Sequence, residues 1–498
     1  MSIKPDRNRV IVIGSGFAGL SAASFLAKAG WDVTVLEKNA TAGGRARQWK
    51  SDGFTFDMGP SFYWMPDVFD RYFAQFGKKT TDYYKLTRLD PSYRVYWKEG
   101  YTDIPASTDE LKIIFDSIEP GSGAKLDEYL EGARYKYEVG MKRLVYKPGR
   151  SLTEFMDWPT ISGVFRLDVF SSMSKHIRRY FTSPKLRQLM EFPVLFLGAL
   201  PEDTPALYSL MNYADIKGGT WFPEGGMYSV VKGMYELALE LGVQFRFNEE
   251  VTGISIVKNS AKQVTTISGT YEADVVVSGA DYQFTESALL PEASRSYNDK
   301  YWDKRVMAPS CLLYYVGINK KLAGLPHHSL FFDAAFDQHG HEIYRDPKWP
   351  ADPLFYASIA SVTDKDAAPE GMENLFFLVP VAAGLQNDTE ELRERYFNQI
   401  MDRFETRTGQ VIRDSIVYKK TYSVSDFVND YHSFRGNAYG LANTLMQTAV
   451  FKPSCKSKKV KNLFYTGQLT VPGPGVPPSL ISGEVVASEV IKTFVQPI

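Results

Sequence analysis

The sequence predicts an α/β fold in which one nucleotide-binding sheet is assembled from three chain segments and interrupted twice by an α+β unit. Three observations carry this. A strand, glycine turn, helix and second strand open the chain at Arg9-Val-Ile-Val-Ile-Gly14-Ser15-Gly16-Phe17-Ala18-Gly19-Leu20 and end on Glu37. Further α/β text occupies residues 220–290 and again 445–498. The intervening stretches read differently, mainly helical over 106–219 and mixed strand and helix over 291–444.

In the opening block each glycine has its own task. Gly14 makes the tight turn leaving the first strand, Gly16 lets backbone approach a pyrophosphate, and Gly19 lets the helix pack closely on the strand. The helix start offers free N–H groups and the positive end of its dipole to phosphate. Glu37, after Val33-Thr-Val-Leu36, is placed to accept hydrogen bonds from ribose hydroxyls and to repel a 2′-phosphate, which disfavours NADP. The block alone leaves NAD and FAD both open.

The remaining elements follow in order. Gly53–Pro60 reads as a hairpin. Asp109–Ile118, Leu126–Tyr146 and Val164–Phe181 read as helices, the last with Phe165, Val169, Phe170, Met173, Ile177 and Phe181 at helical spacing. Met227–Leu241 is a helix after Gly225-Gly226. Val243–Phe247 and Val251–Val257 are strands, and a buried strand leaves through Ser278-Gly279-Ala280-Asp281. Strands at Cys311–Val316 and Asn374–Val379 accompany a charged helix, Asp388–Arg407. Asn462–Tyr465 is the last strand and Pro478–Phe494 the last helix.

Bulk properties narrow the function. A hydrophobic share of 44% over 498 residues is ample for a packed core, and a net charge of -1 gives no general pull toward nucleic acid. Cys311 and Cys455 match no metal spacing and fit a reducing cytosol. The polar start runs at once into a strand and leaves no room for a signal peptide. No apolar run reaches the ~20 residues that a membrane-spanning helix needs. The 30 Tyr and 32 Phe suggest large apolar surfaces, in a core or around a large apolar ligand.

Three further motifs carry chemistry. Beyond Glu37 and Lys38, Gly43-Gly44-Arg45-Ala46 allows backbone to lie against a ring or phosphate, with Arg45 offsetting negative charge. In the tail, Tyr465-Thr-Gly467-Gln468 leads to Gly475-Val476-Pro477-Pro478-Ser479, a helix start suited to stabilising an anionic flavin edge. Asn248-Glu-Glu250-Val251 reads as a strand whose Val251 backbone meets an adenine edge. Together the second glycine turn and the tail select FAD over a diffusible NAD.

On these motifs, with Phe54-Thr-Phe-Asp57-Met-Gly59-Pro60-Ser61 and Val275–Asp281, the chain resembles bacterial carotenoid desaturases of the phytoene desaturase type, within the amine-oxidase-like FAD superfamily. The Asp57-x-Gly59-Pro60-Ser61-x-x-x-Met65-Pro66 run and Pro472-Gly-Pro-Gly475-Val476-Pro477 point to the carotenoid branch. One stretch departs from it: Gln468-Leu469-Thr470-Val471-Pro472 stands where an Ala or Gly with a Thr-His-Pro run is expected.

The resemblance implies a Rossmann-type FAD-binding domain (1–105, 220–290 and 445–498) and an inserted α+β substrate domain (106–219 and 291–444) with a largely helical, membrane-facing part. It implies removal of hydride and proton from a C40 polyene such as phytoene, drawn from a membrane. The enzyme would then be cytoplasmic, peripheral on the inner face of the cell membrane. Val164–Phe181 with Arg166, Lys175, Arg178 and Arg179 is a candidate interfacial helix. Lys452, Lys456, Lys458, Lys459 and Lys461 are candidates to meet anionic headgroups. His176, His327, His328, His339, His341 and His432 are candidates for proton removal, and the catalytic base stays unassigned. Asp57 and Glu224 adjoin the flavin motifs and could instead be capping acids. The alternatives are a 1-hydroxycarotenoid 3,4-desaturase, an amine or protoporphyrinogen oxidase, and a flavin-free prenyl-protein carrier like the Rab GDP-dissociation inhibitors.

Overall fold

The computed structural model describes residues 9–151, 154, 167–196 and 198–494. Its first sheet has five parallel strands in the order Leu463–Tyr465, Val275–Ser278, Arg9–Ile13, Asp32–Leu36 and Gln244–Arg246. The first strand is central, paired Val10 to Val275 on one side and Val10 to Val33 on the other. Helices cover one face of this sheet and the strands Val251–Val257 and Ser260–Thr266 pack on the other, so its inner strands are largely apolar rather than alternating.

Two of the covering helices, Phe17–Lys28 and Val476–Phe494, come from opposite ends of the chain. Their close approach depends on Gly483, where a Cβ would lie 2.5 Å from both the Ala18 carbonyl oxygen and Ser21 Cβ. Ser21 Oγ donates to the Leu480 carbonyl at 2.7 Å across the same contact. The tail is thereby locked beside the first glycine turn.

A second sheet has seven strands in the order Ile416–Tyr422, Ser310–Ile318, Glu373–Val381, Phe355–Ser358, His328–Phe331, Tyr93–Tyr96 and Tyr101–Ile104. Its central strands are buried on both faces, and successive residues divide between two cores. Cys311, Leu313 and Tyr315 face one core, while Leu312, Tyr314 and Val316 face the other, against the helix Glu390–Thr408. Tyr93–Ile104 joins this sheet although it falls within the first of the chain segments expected to form the nucleotide domain.

Most elements form where the pattern places them. Thr108–Ile118 starts on Ser107, whose side chain accepts from Glu110 N, and Gln48–Ser51 pairs with Phe54–Asp57 as a hairpin. The helix expected at 126–146 forms as Ser122–Val139 and continues as a wider π-type turn, Gly140–Leu144. The helix expected over 164–181 does not form as one piece. Residues 164–166, including Arg166 and Phe165, lie outside the described part. Beyond them Asp168 takes a positive φ of 51°, and only Met173–Ile177 is helical, restarted by the Ser172 side chain accepting from Lys175 N. Aspartate in the left-handed region and a serine cap are both stop-and-start signals that apolar spacing alone overlooks.

Among the described residues no helix is long and apolar enough to cross a membrane. Of the basic run near the tail, Lys458, Lys459 and Lys461 are exposed, but Lys452 is buried and so is not part of a solvated cationic face.

Candidate functional site

The two sheets meet around one large cavity of about 480 Å³, within the ~300–1,000 Å³ typical of ligand pockets. One half is backbone-rich. Gly14, Gly16, Phe17, Ala18 and Gly19 line it from the first turn, Gly43, Gly44, Arg45 and Ala46 from the second. Glu37, Lys38 and Val251 close one end of this half. Gly279, Ala280 and Asp281 line it from the strand beside the first, and Gly467, Gln468, Gly475, Val476 and Pro477 from the tail. Gly59, Pro60 and Ser61 mark the passage to the other half, which is apolar and aromatic.

Ser15, expected to touch a ligand, instead points inward. It is fully buried, and its N–H and hydroxyl both donate to Glu37 Oε2, at 2.8 and 2.7 Å. Glu37 Oε1 accepts from Asn39 N and Nδ2, each at 2.9 Å. The carboxylate is thus oriented by four donors before a ligand arrives. Beside it, Lys38 Nζ lies 3.7 Å from Glu250 Oε1, which lies 2.6 Å from His432 Nε2. The His432 ring stacks on Phe284 with centroids 4.0 Å apart, placing this histidine at the Glu37 end of the cavity.

Arg45 is the half-buried cation of the site. Its Nη2 donates to Ser433 Oγ at 2.9 Å and to the Asn437 carbonyl at 3.3 Å. Burial pulls its pKa down from the ordinary value, opposed by the nearby Asp281 charge, and an arginine stays protonated regardless. Its Nε is buried with no protein partner. Asp281 has its own pKa raised by burial and accepts from Phe434 N and Phe284 N at 3.0 and 3.2 Å. Two helix starts, at Phe17 and at Val476, border the same cavity, and neither has an acidic residue in its first turn. A space lined by glycine backbone, two positive helix ends and a guanidinium whose Nε has no protein partner fits a long anionic dinucleotide.

The apolar half has the seven-stranded sheet as its floor. Cys311, Leu313, Leu330, Tyr356 and Leu378 line it, with Phe62, Trp64 and Phe192 above. Burial pushes the Cys311 thiol up to about 12, so it stays protonated.

The other candidate residues sort clearly. Asp57 caps a helix: its carboxylate accepts from Met227 N at 2.6 Å and Tyr228 N at 3.2 Å. Glu224 does not line the cavity. His176 packs against Lys136, and burial lowers its pKa to about 4. His339 is held between the Pro380 carbonyl and Leu354 N, at 2.9 and 3.0 Å. His341 is exposed, 3.8 Å from Glu202. His327 and His328 are buried behind the cavity wall. Among the described residues no cluster of His, Cys, Asp or Glu is arranged to hold a metal.

The fold and this site define a flavin-dependent oxidoreductase with FAD as its cofactor. The chain belongs to the family of flavin-containing amine oxidoreductases, whose model matches residues 17–491. It is 44% identical over 97% of its length to a carotenoid 3,4-desaturase of Haloarcula japonica, covering 98% of that protein. It is 31% identical over 99% of its length to a zeta-carotene-forming phytoene desaturase of Myxococcus xanthus, covering 95% of it. In fold it is similar to an oxidoreductase from Methanosarcina mazei, with a TM-score of 0.65 at 17% identity over 96% of this chain and 100% of that one. A putrescine oxidase variant gives a TM-score of 0.61 at 15% identity, over 97% and 99% of the two chains.

Proposed function

We propose that the protein is an FAD-dependent carotenoid desaturase that introduces double bonds into a long polyene such as phytoene. The observation that carries this reading is one continuous cavity, glycine-lined and cationic at one end, apolar and aromatic at the other. A dinucleotide and a hydrocarbon can share that space with their reacting parts in contact. The relatives named for carotenoid desaturation, matched over nearly the whole chain, support the same assignment.

Gly14, Gly16, Gly19 and the helix start at Phe17 would hold the pyrophosphate, and Glu37 the ribose. Val251 and the Phe284–His432 pair would border the adenine. Arg45, Gly467, Gln468 and the helix start at Val476 would face the ring. When bound, FAD supplies the hydride acceptor. The protein orients the polyene along the sheet floor, keeps water away with Leu313, Leu330 and Leu378, and uses Arg45 and the tail helix to favour negative charge at the ring. The cofactor-binding unit would comprise 1–105, 220–290 and 445–498, and the substrate unit 106–219 and 291–444, with Tyr93–Ile104 reassigned to the latter.

Carotenoid 3,4-desaturation is the second reading, favoured by the 44% identical relative. Both readings place the substrate in a membrane. Exposed Leu445, Met446 and Phe451 stand in short turns a few residues from Asn443, which lines the cavity, and would make the peripheral contact. Expression in cells that accumulate phytoene tests the assignment. New coloured polyenes support phytoene desaturation. Unchanged phytoene, together with a new double bond in a hydroxylated carotenoid, supports the second reading. No new double bond in either contradicts both.

A further inference from the structure

The cavity floor contains one polar device that the function described above does not use. Of the five sheet side chains lining the cavity, only Tyr356 carries a hydroxyl. That hydroxyl lies 2.6 Å from His328 Nδ1, with the Ser61 and Ser358 hydroxyls beside it. The arrangement is fixed by sheet register. Leu330 pairs with Tyr356 and His328 with Ser358, so His328 and Leu330 point to the same face and Tyr356 lies diagonal to His328. Phe62 stacks on the His328 ring, centroids 4.3 Å apart, and screens it from the cavity.

His328 is fully buried, yet its Nε2 has no partner. An imidazole spends a polar atom in such a place only at a cost, typically 1–3 kcal/mol. Behind it the His327 ring lies 4.4 Å away, centroid to centroid, and His327 Nδ1 is 2.8 Å from Thr363 Oγ1. Thr363 is half-buried and reaches the surface. Tyr356 and His328 therefore form a hydrogen-bonded pair at the cavity floor, and His327 with Thr363 forms a second pair packed behind it.

We propose that Tyr356 and His328 take up the proton lost in desaturation, Tyr356 as the catalytic residue and His328 as the positioning residue that receives its proton. The proposal rests on the desaturase reading. Bound FAD would supply the oxidant that takes hydride from an allylic C–H, which would leave a cation on the polyene. The adjacent C–H then loses a proton to the Tyr356 oxygen while the Tyr356 O–H proton passes to His328 Nδ1. The C–H electron pair becomes the new π bond, and the proton is held on His328 Nδ1. Burial holds His328 well below its ordinary pKa, which keeps it neutral and able to accept. A weakened imidazole is sufficient, because a C–H next to a carbocation is far more acidic than an imidazolium.

Tyr356→Phe and His328→Gln test this in the FAD-loaded enzyme, with flavin content and melting temperature confirming the fold. Turnover falls by about 10²-fold in both. In Tyr356→Phe, deuterium at the carbon that loses the proton gives a larger isotope effect than in the wild type, while deuterium at the hydride-donating carbon does not. His328→Gly is partly rescued by added imidazole. Folded variants that turn over within twofold of wild type overturn the proposal, as does a slower variant with unchanged isotope effects. A wild-type enzyme that desaturates no carotenoid removes the desaturase reading and this proposal with it.

Discussion

Ser15 and Glu37 are joined twice, by the Ser15 N–H and hydroxyl donating to one carboxylate oxygen at 2.8 and 2.7 Å. The contact ties the first glycine turn to the end of the neighbouring strand. Glu37→Gln keeps the shape but presents an N–H₂ to donors and loses the charge. FAD affinity falls by about tenfold, given the ~1.5–3 kcal/mol of a hydrogen bond to a charged group. Fluorescence titration of the cofactor-free protein measures it.

Gly19→Ala strikes the same turn from the helix side. Its Cβ would lie 2.0 Å from the Gly14 carbonyl oxygen, a backbone atom that cannot step aside. Destabilisation by about 1–3 kcal/mol and purification with less flavin than wild type are expected. A denaturant titration and the ratio of visible to ultraviolet absorbance read both.

Arg45→Met tests the cation proposed to face the ring. In the proposed arrangement its removal takes positive charge from beside the ring, so the bound flavin becomes harder to reduce. Spectroelectrochemistry shows a more negative potential, while Arg45→Lys shifts it less. An unchanged potential in Arg45→Met would place the guanidinium away from the ring.

Lys452 gives a pH signature. Its Nζ donates to Asn443 Oδ1 at 3.4 Å, and burial lowers its pKa from 10.5 to about 7. Between these values the unfolded chain binds the extra proton, so its contribution to stability rises with pH through that window. Below pH 7 both states are protonated and the burial cost is fully present. Lys452→Met is therefore more stable than wild type near neutrality, and the gap narrows toward pH 10. Urea titrations at several pH values measure the gap.

Leu378→Trp separates the two halves of the cavity. The added ring fills the apolar floor without touching the glycine-lined end. Flavin absorbance is retained while polyene turnover drops at least about tenfold, since a well-packed site pays for each added atom. Loss of flavin in this variant would mean that the halves are not independent.

The glycine turns, Glu37 and the tail were legible because local backbone needs dictate their residues. Gly483 and Gly19 are there for close approach, and the parallel strands are apolar because both faces are covered. The apolar floor was not legible. Cys311, Leu330, Tyr356 and Leu378 come from four strands whose pairing no local pattern encodes, and most of their neighbours in sequence are equally apolar. His328 was one of six histidine candidates for proton removal, and only the register sets it beside Tyr356. His432 was a candidate for proton removal, and only the fold places it with Glu250 and Phe284 at the Glu37 end.

The central claim is that one cavity holds FAD and a polyene in reacting contact. Anaerobic mixing of FAD-loaded protein with phytoene in liposomes tests it most directly. The account predicts bleaching of the oxidised flavin band with one new double bond per flavin, seen as a shift in polyene absorbance. The same experiment with a 3,4-saturated carotenoid covers the second reading. Flavin that stays oxidised with both substrates, in protein that a chemical reductant bleaches fully, would contradict it.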